Sequence, residues 1–283
     1  MRYHFLKIIS WALLIISLSG CDGAASYAPG TSFSTEDVLS ESLKLSELPP
    51  VDALPLISDV VNGDVADGET IKFGGYSWIV LDAQDDKALI LSERIIEHRA
   101  YNELMLIVKW EDCDLREYLN TEFFDVTFNE NEKSRIMETI VINDDNSWYG
   151  TDGGRDTIDR VFLLSINEVV RYFGDSGQLE NRPENDGRYS WMTDKYFPFI
   201  DDKFNYLRAA MDIKGVYSWW WLRSPGFYDI ERDNVSFAAV IGDHDGYLWM
   251  SGCSVFSNSK YNYTPDEYNG AGVRPALWLD LRS

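Results

Sequence analysis

Trp219-Trp220-Trp221-Leu222-Arg223-Ser224-Pro225-Gly226 constrains the fold of this chain more than any other stretch. Three consecutive indoles do not fit one core face of an extended segment. Strand alternation puts Trp219, Trp221 and Arg223 on one side, Trp220 and Leu222 on the other. An arginine set among rings keeps its charge and needs a carboxylate or carbonyl oxygens inside the fold. Ser224-Pro225-Gly226 is expected to end the strand in a turn. Arg274 repeats the theme in Gly272-Val273-Arg274-Pro275-Ala276-Leu277-Trp278-Leu279. Arg223 and Arg274 are therefore expected as structural anchors, each paired with an acid or with loop carbonyls, the acid being favoured in so acidic a chain. The alternative is a ligand-contact face built from Trp219, Trp221, Arg223 and Arg274.

The 283 residues suffice for one large domain. Acids outnumber bases 47 to 25, a net charge of -22. So acidic a chain makes a poor partner for nucleic acid, which needs clustered Lys and Arg. The aromatic share of 14% is heavy, and such surfaces stack on sugars or bury against proteins.

The N-terminus reads as an address. Arg2 and Lys7 precede an apolar run from Ile8 to Leu18, followed by Leu18-Ser19-Gly20-Cys21. The run is short for a membrane span. The pattern resembles the lipobox of bacterial lipoproteins. That resemblance implies a signal peptide over 1–20, acylation of Cys21 with palmitate-type chains, and a mature charge of -24, from 23 bases and 47 acids. Each buried methylene of such a chain adds about 0.8 kcal/mol to membrane affinity. The lipid bilayer is then the first expected partner, with the protein on the extracytoplasmic face of the cell membrane. Asp22 tilts this toward the periplasmic side of the inner membrane in a Gram-negative cell. Residues 21–66, rich in Ser, Ala, Asp, Glu and Pro, read as a tether with an end-to-end distance of roughly 35–40 Å.

Residues 67–283 read as one α+β domain, with short helices in the first half and a loop-rich, aromatic-rich antiparallel region in the second. Ile71 to Leu81 suggests two strands around Gly74-Gly75, and Lys87 to Ser92 a third. Leu115, Tyr118 and Leu119 recur at helical spacing. Asn129 with Glu132, and Ser165 with Glu168, fit capping boxes. Val161 to Leu164 suggests a buried strand. Phe237–Gly242 and Tyr247–Ser251 suggest a hairpin, and Gly272–Leu279 a closing strand.

The search for chemistry returns little. After a signal-peptide cut only His98 and His244 remain, so a Ser-His-Asp or Cys-His site must use one of them. No P-loop, Rossmann or zinc-protease pattern is present, and no cofactor is expected. Cys113 and Cys253 are either a disulfide pair or two buried thiols. Asp243 and Asp245 form half of a calcium-loop pattern, but a Gly-containing hairpin turn is the favoured reading.

Trp-Trp-Leu-Arg-Ser-Pro-Gly and the closing Gly-Val-Arg-Pro-Ala resemble an uncharacterised bacterial domain family. The segments Phe73–Leu81, Leu115–Asn120 and Val161–Ser165 fit the same order. A more distant resemblance, to the C-type-lectin-like fold and its formylglycine-generating-enzyme relatives, implies a fold but neither their copper chemistry nor their calcium sites. The expected function is a non-catalytic binding module for a glycan or an envelope protein. The alternatives are a glycosidase-like hydrolase using two carboxylates and a structural envelope protein.

Overall fold

The computed structural model describes residues 68–84, 86–184, 188–190, 195–228, 236–242, 244–256 and 271–282. The signal peptide, Cys21, the tether and Asp243 lie outside them.

The chain begins with β1 (Thr70–Phe73), β2 (Tyr76–Gln84), β3 (Lys87–Ser92) and β4 (Glu97–His98). A helical stretch follows: a 3-10 turn (Trp110–Asp112), α1 (Asp114–Tyr118), a π-helical turn (Leu119–Phe123), α2 (Phe124–Thr127) and α3 (Glu130–Lys133). Then come β5 (Thr139–Val141), β6 (Thr157–Asp159) and α4 (Ile166–Phe173). The second half holds β7 (Arg188–Ser190), β8 (Lys195–Phe197), α5 (Asn205–Arg208), β9 (Ala210–Met211), β10 (Tyr217–Ser218), β11 (Trp220–Pro225), β12 (Phe237–Ile241), β13 (Leu248–Ser254), β14 (Gly272–Val273) and β15 (Ala276–Asp280). The class is α+β, as expected.

Two sheets organise the molecule. One runs β1-β2-β3-β15, the other β13-β12-β11-β14-β4, and three two-stranded ribbons complete the set. A single hydrophobic cluster joins both sheets to α1, α2 and α4. Gly74 and Gly75, at φ 55° and 78°, make the tight β1–β2 turn. Both anticipated capping boxes form, Asn129 with Glu132 on α3 and Ser165 with Glu168 on α4. Asp159, buried on β6, accepts hydrogen bonds from Trp110 Nε1, Thr157 Oγ1 and Arg116 Nε, and so docks α1 on the β5–β6 ribbon.

Several expectations need correction. Gly272–Leu279 is two strands, split at Arg274-Pro275, and the chain passes there from one sheet to the other. Proline has no N–H to continue a ladder, which makes it a natural point of departure. The second sheet is not wholly antiparallel: β11 and β14 pair in parallel, Trp220 opposite Gly272. Val161–Leu164 is buried but makes one isolated bridge, Phe162 with Ala276. The 219–226 segment stays extended through Pro225, which pairs with Ala238. The hairpin is present as β12–β13, with Ile241 opposite Leu248. Its ladder shifts register between Ala238 and Val240, opposite Gly252. At φ 68°, with an added Cβ meeting Ala238 O at 1.9 Å, only glycine fits there.

Candidate functional site

The motif residues on β11 build a junction inside the protein. Trp220, Trp221 and Leu222 are fully buried and Arg223 nearly so. Trp220 Nε1 donates to Arg208 O at 3.0 Å and Trp221 Nε1 to Arg99 O at 2.9 Å. Arg223 ion-pairs with Glu168 and donates to Leu163 O (2.7 Å) and Ile142 O (2.9 Å). Ser224 Oγ accepts from Ile166 N at 2.9 Å. Arg223 and Ser224 thus latch the N-terminus of α4, since Glu168 is also its capping-box residue. Gly226 lets β11 approach Ser251 O, which an added Cβ would meet at 2.3 Å.

Arg274 has a different setting. It is fully buried, 5.0 Å from the Trp220 ring centroid and 5.7 Å from that of Phe173. Nε donates to Ser92 O at 2.9 Å and Nη2 to Glu93 O at 3.3 Å, at the end of β3. Its hydrogen-bond partners are carbonyls, the second of the two kinds expected, and the Glu93 charge acts on it electrostatically. Burial pushes its guanidinium down to about 10, well above neutral pH. Of the four residues put forward for ligand contact, Trp221, Arg223 and Arg274 face the interior. Trp219 keeps partial exposure, its ring 5.0 Å from Trp221.

The other sequence candidates separate in space. His98 Nε2 lies 3.3 Å from Ser218 Oγ, and Asp212 acts on the imidazole electrostatically. Ser218 is buried and its hydroxyl donates to Trp219 O. Asp212 Oδ1 accepts from Lys214 N and Val216 N, closing a turn. Burial lowers the His98 pKa, opposed by Asp212 and aided by Lys214. The unfolded chain therefore takes up more protons as pH falls through 6.5, and His98 costs stability there. The thermal midpoint should drop between pH 7.5 and 5.5, and His98→Gln should flatten that drop. A parent midpoint that does not change over this range would contradict it.

Cys113 is a free, buried thiol, so the pairing with Cys253 left open by the sequence is not formed. Burial pushes that thiol up to about 12, which leaves it unreactive. Asp245 lies 3.3 Å from the His244 imidazole at the exposed tip of the hairpin. Among the described residues no group of three or more His, Cys, Asp or Glu side chains is placed to hold a metal ion.

The surface offers two features. An open groove of about 460 Å³ passes over Phe124. Lys133 and Arg160 both sit over that ring, but carboxylates already engage them, Asp125 and Glu130 on one and Glu138 on the other. The second feature is aliphatic. Leu104, Met105, Leu106 and Ile107, between β4 and the 3-10 turn, are 63%, 38%, 49% and 57% exposed. On the β5–β6 ribbon, Ile140 and Ile158 pair across the strands on an exposed face that Ile142 extends. The sequence signal for the first was five apolar residues in a row, Leu104 to Val108, with no helical or strand partner.

Compared with known proteins, residues 85–281 match the model of a family described as a domain of unknown function, DUF6273. β1 and β2 precede the matched span, yet complete its first sheet. No curated protein and no solved structure matches the chain, so the likeness to the C-type-lectin-like fold gains no support from them.

Proposed function

The chain belongs to the DUF6273 family, and from that premise we propose that it is a non-catalytic protein-binding module. In the same reading, acylated Cys21 holds it at the extracytoplasmic face of a membrane and residues 21–66 give it reach. One observation carries the choice of protein over glycan. The large apolar side chains left in solvent are mainly aliphatic: Leu104 to Ile107, Val126, Ile140, Ile142 and Ile158. Sugar recognition by stacking draws on open aromatic faces, and of the exposed large apolar side chains among the described residues two are aromatic, Tyr206 and Tyr217. Trp78, Trp110, Trp220 and Trp221 are fully buried, and Trp148, Trp219, Trp249 and Trp278 pack against the core. No tryptophan stands exposed among the described residues. Contiguous exposed aliphatic surface is the mark of a protein interface.

No helix of the described residues is long and apolar enough to cross a membrane, so the proposed attachment rests on Cys21. A clickable fatty acid should label the parent and not Cys21→Ala. A photo-crosslinking residue at Ile107, on intact cells, should give discrete protein adducts. The same residue at Tyr217, exposed beside the tryptophan motif, should give none. Retention on a glycan array, or turnover of a chromogenic glycoside that one Asp or Glu substitution abolishes, would overturn the reading.

A further inference from the structure

Leu104–Ile107 is mounted as a rigid protrusion. Tyr101 and Trp110, at its two ends, are buried. Between them the backbone is tied at Asn102, Glu103, Leu104, Leu106 and Val108. Asn102 N donates to Val255 O at 2.9 Å, and Asn102 Nδ2 to Leu104 O at 2.9 Å. Glu103 N donates to Asp114 Oδ2 at 2.7 Å, and Leu106 N to Leu104 O at 2.9 Å. On the far side Ser236 clamps the chain: its N donates to Leu106 O (3.3 Å), its Oγ donates to Val108 O (2.7 Å) and accepts from Val108 N (2.9 Å). A loop whose polar groups are satisfied at its base and whose apolar side chains point outward loses little conformational freedom on binding.

Its rim is acidic. Glu103, Asp112 and Asp114 are exposed; Lys109 is engaged by Asp152 at 2.5 Å, and Arg155, whose charge also acts on Asp112, is ion-paired with Glu111. Resting on the protein-binding reading, the geometry points to Leu104–Ile107 as the docking element for an amphipathic basic segment of a partner protein. Its apolar face covers the four side chains, and its Lys or Arg residues meet Glu103, Asp112 and Asp114. Charge complementarity selects this occupant. An anionic bilayer and a second copy of a chain with net charge -22 would both set like charges together at this rim.

The test uses a labelled Leu/Lys helical peptide and its Leu/Glu counterpart, titrated against the full chain by fluorescence anisotropy. The Leu/Lys peptide should bind and the Leu/Glu peptide should not. The double substitution L106S/I107S should weaken binding by at least about tenfold with an unchanged melting midpoint. E103Q/D112N, or a rise in salt from 50 to 300 mM, should weaken it by roughly three- to tenfold. Equal binding of the Leu/Glu peptide, or parent-like binding by L106S/I107S, overturns the proposal. So does a dimer in sedimentation, or capture by phosphatidylglycerol vesicles, that L106S/I107S abolishes. Crosslinking from Ile107 without Leu/Lys binding removes the partner chemistry and leaves the protein-binding reading. Glycan retention removes that reading itself.

Discussion

Arg223→Ala should lower the thermal midpoint by roughly 6–12 °C, from a loss of about 3 kcal/mol. The substitution strips Glu168 of its ion-pair partner and leaves Leu163 O and Ile142 O without their donors. Arg223 is 3% exposed in its side chain and Glu168 27%, so solvent relieves part of the stranded carboxylate. That places the loss at the low end of the 3–5 kcal/mol range for breaking a buried pair. Out of a typical domain stability of about 5–15 kcal/mol the change is large. Glu168 also accepts from Ser165 N in the capping box, so α4 should loosen with it. Faster amide exchange over Ile166–Phe173 is the local signature to look for.

Arg274→Ala should cost about 3–5 kcal/mol, by another route. No carboxylate is stranded here. The losses are a cavity between Trp220 and Phe173 and two unpaired carbonyls, Ser92 O and Glu93 O. Arg274→Met fills most of that volume and removes the cost of burying a charge, so it should recover part of the loss. Arg223→Met should recover less, because Glu168 stays unpaired. Calorimetric midpoints of the four variants check this order. An Arg274→Met no more stable than Arg274→Ala would contradict the packing account.

Local signals in the sequence were reliable where the interaction is local. The Gly74-Gly75 turn, the Lys87–Ser92 strand, the two capping boxes and the β12–β13 hairpin are all present. Each depends on residues a few positions apart. What escaped depends on partners far along the chain. The split at Pro275 arises because Val273 pairs with Glu97 while Ala276 pairs with Leu91, in different sheets. For Arg274 the sequence leaves an acid or loop carbonyls open and favours the acid, and it is carbonyls at the end of β3, far along the chain, that hold it. Cys113 sits just before α1 as a free thiol, and the bond to Cys253 on β13 is not formed. The tryptophan run drew attention as a surface because three indoles in a row look excessive for one core. The second sheet buries Trp220 and Trp221 completely, Trp221 against Tyr101 and Trp220 against Arg274, within one hydrophobic core. The exposed aliphatic loop went unnoticed because a short apolar run reads as core until its neighbours are known.

If the Trp-Trp-Leu-Arg-Ser-Pro-Gly stretch is scaffold, the binding surface lies elsewhere, and a double-mutant cycle on Arg223 and Glu168 is the direct measurement. Arg223→Ala, Glu168→Gln and their combination are compared by chemical unfolding. The account predicts that both single variants are destabilised and that the double loses less than their sum, by about 1–3 kcal/mol. Additive effects, or an Arg223→Ala variant that unfolds like the parent while adducts move from Ile107 to Tyr217, would contradict it.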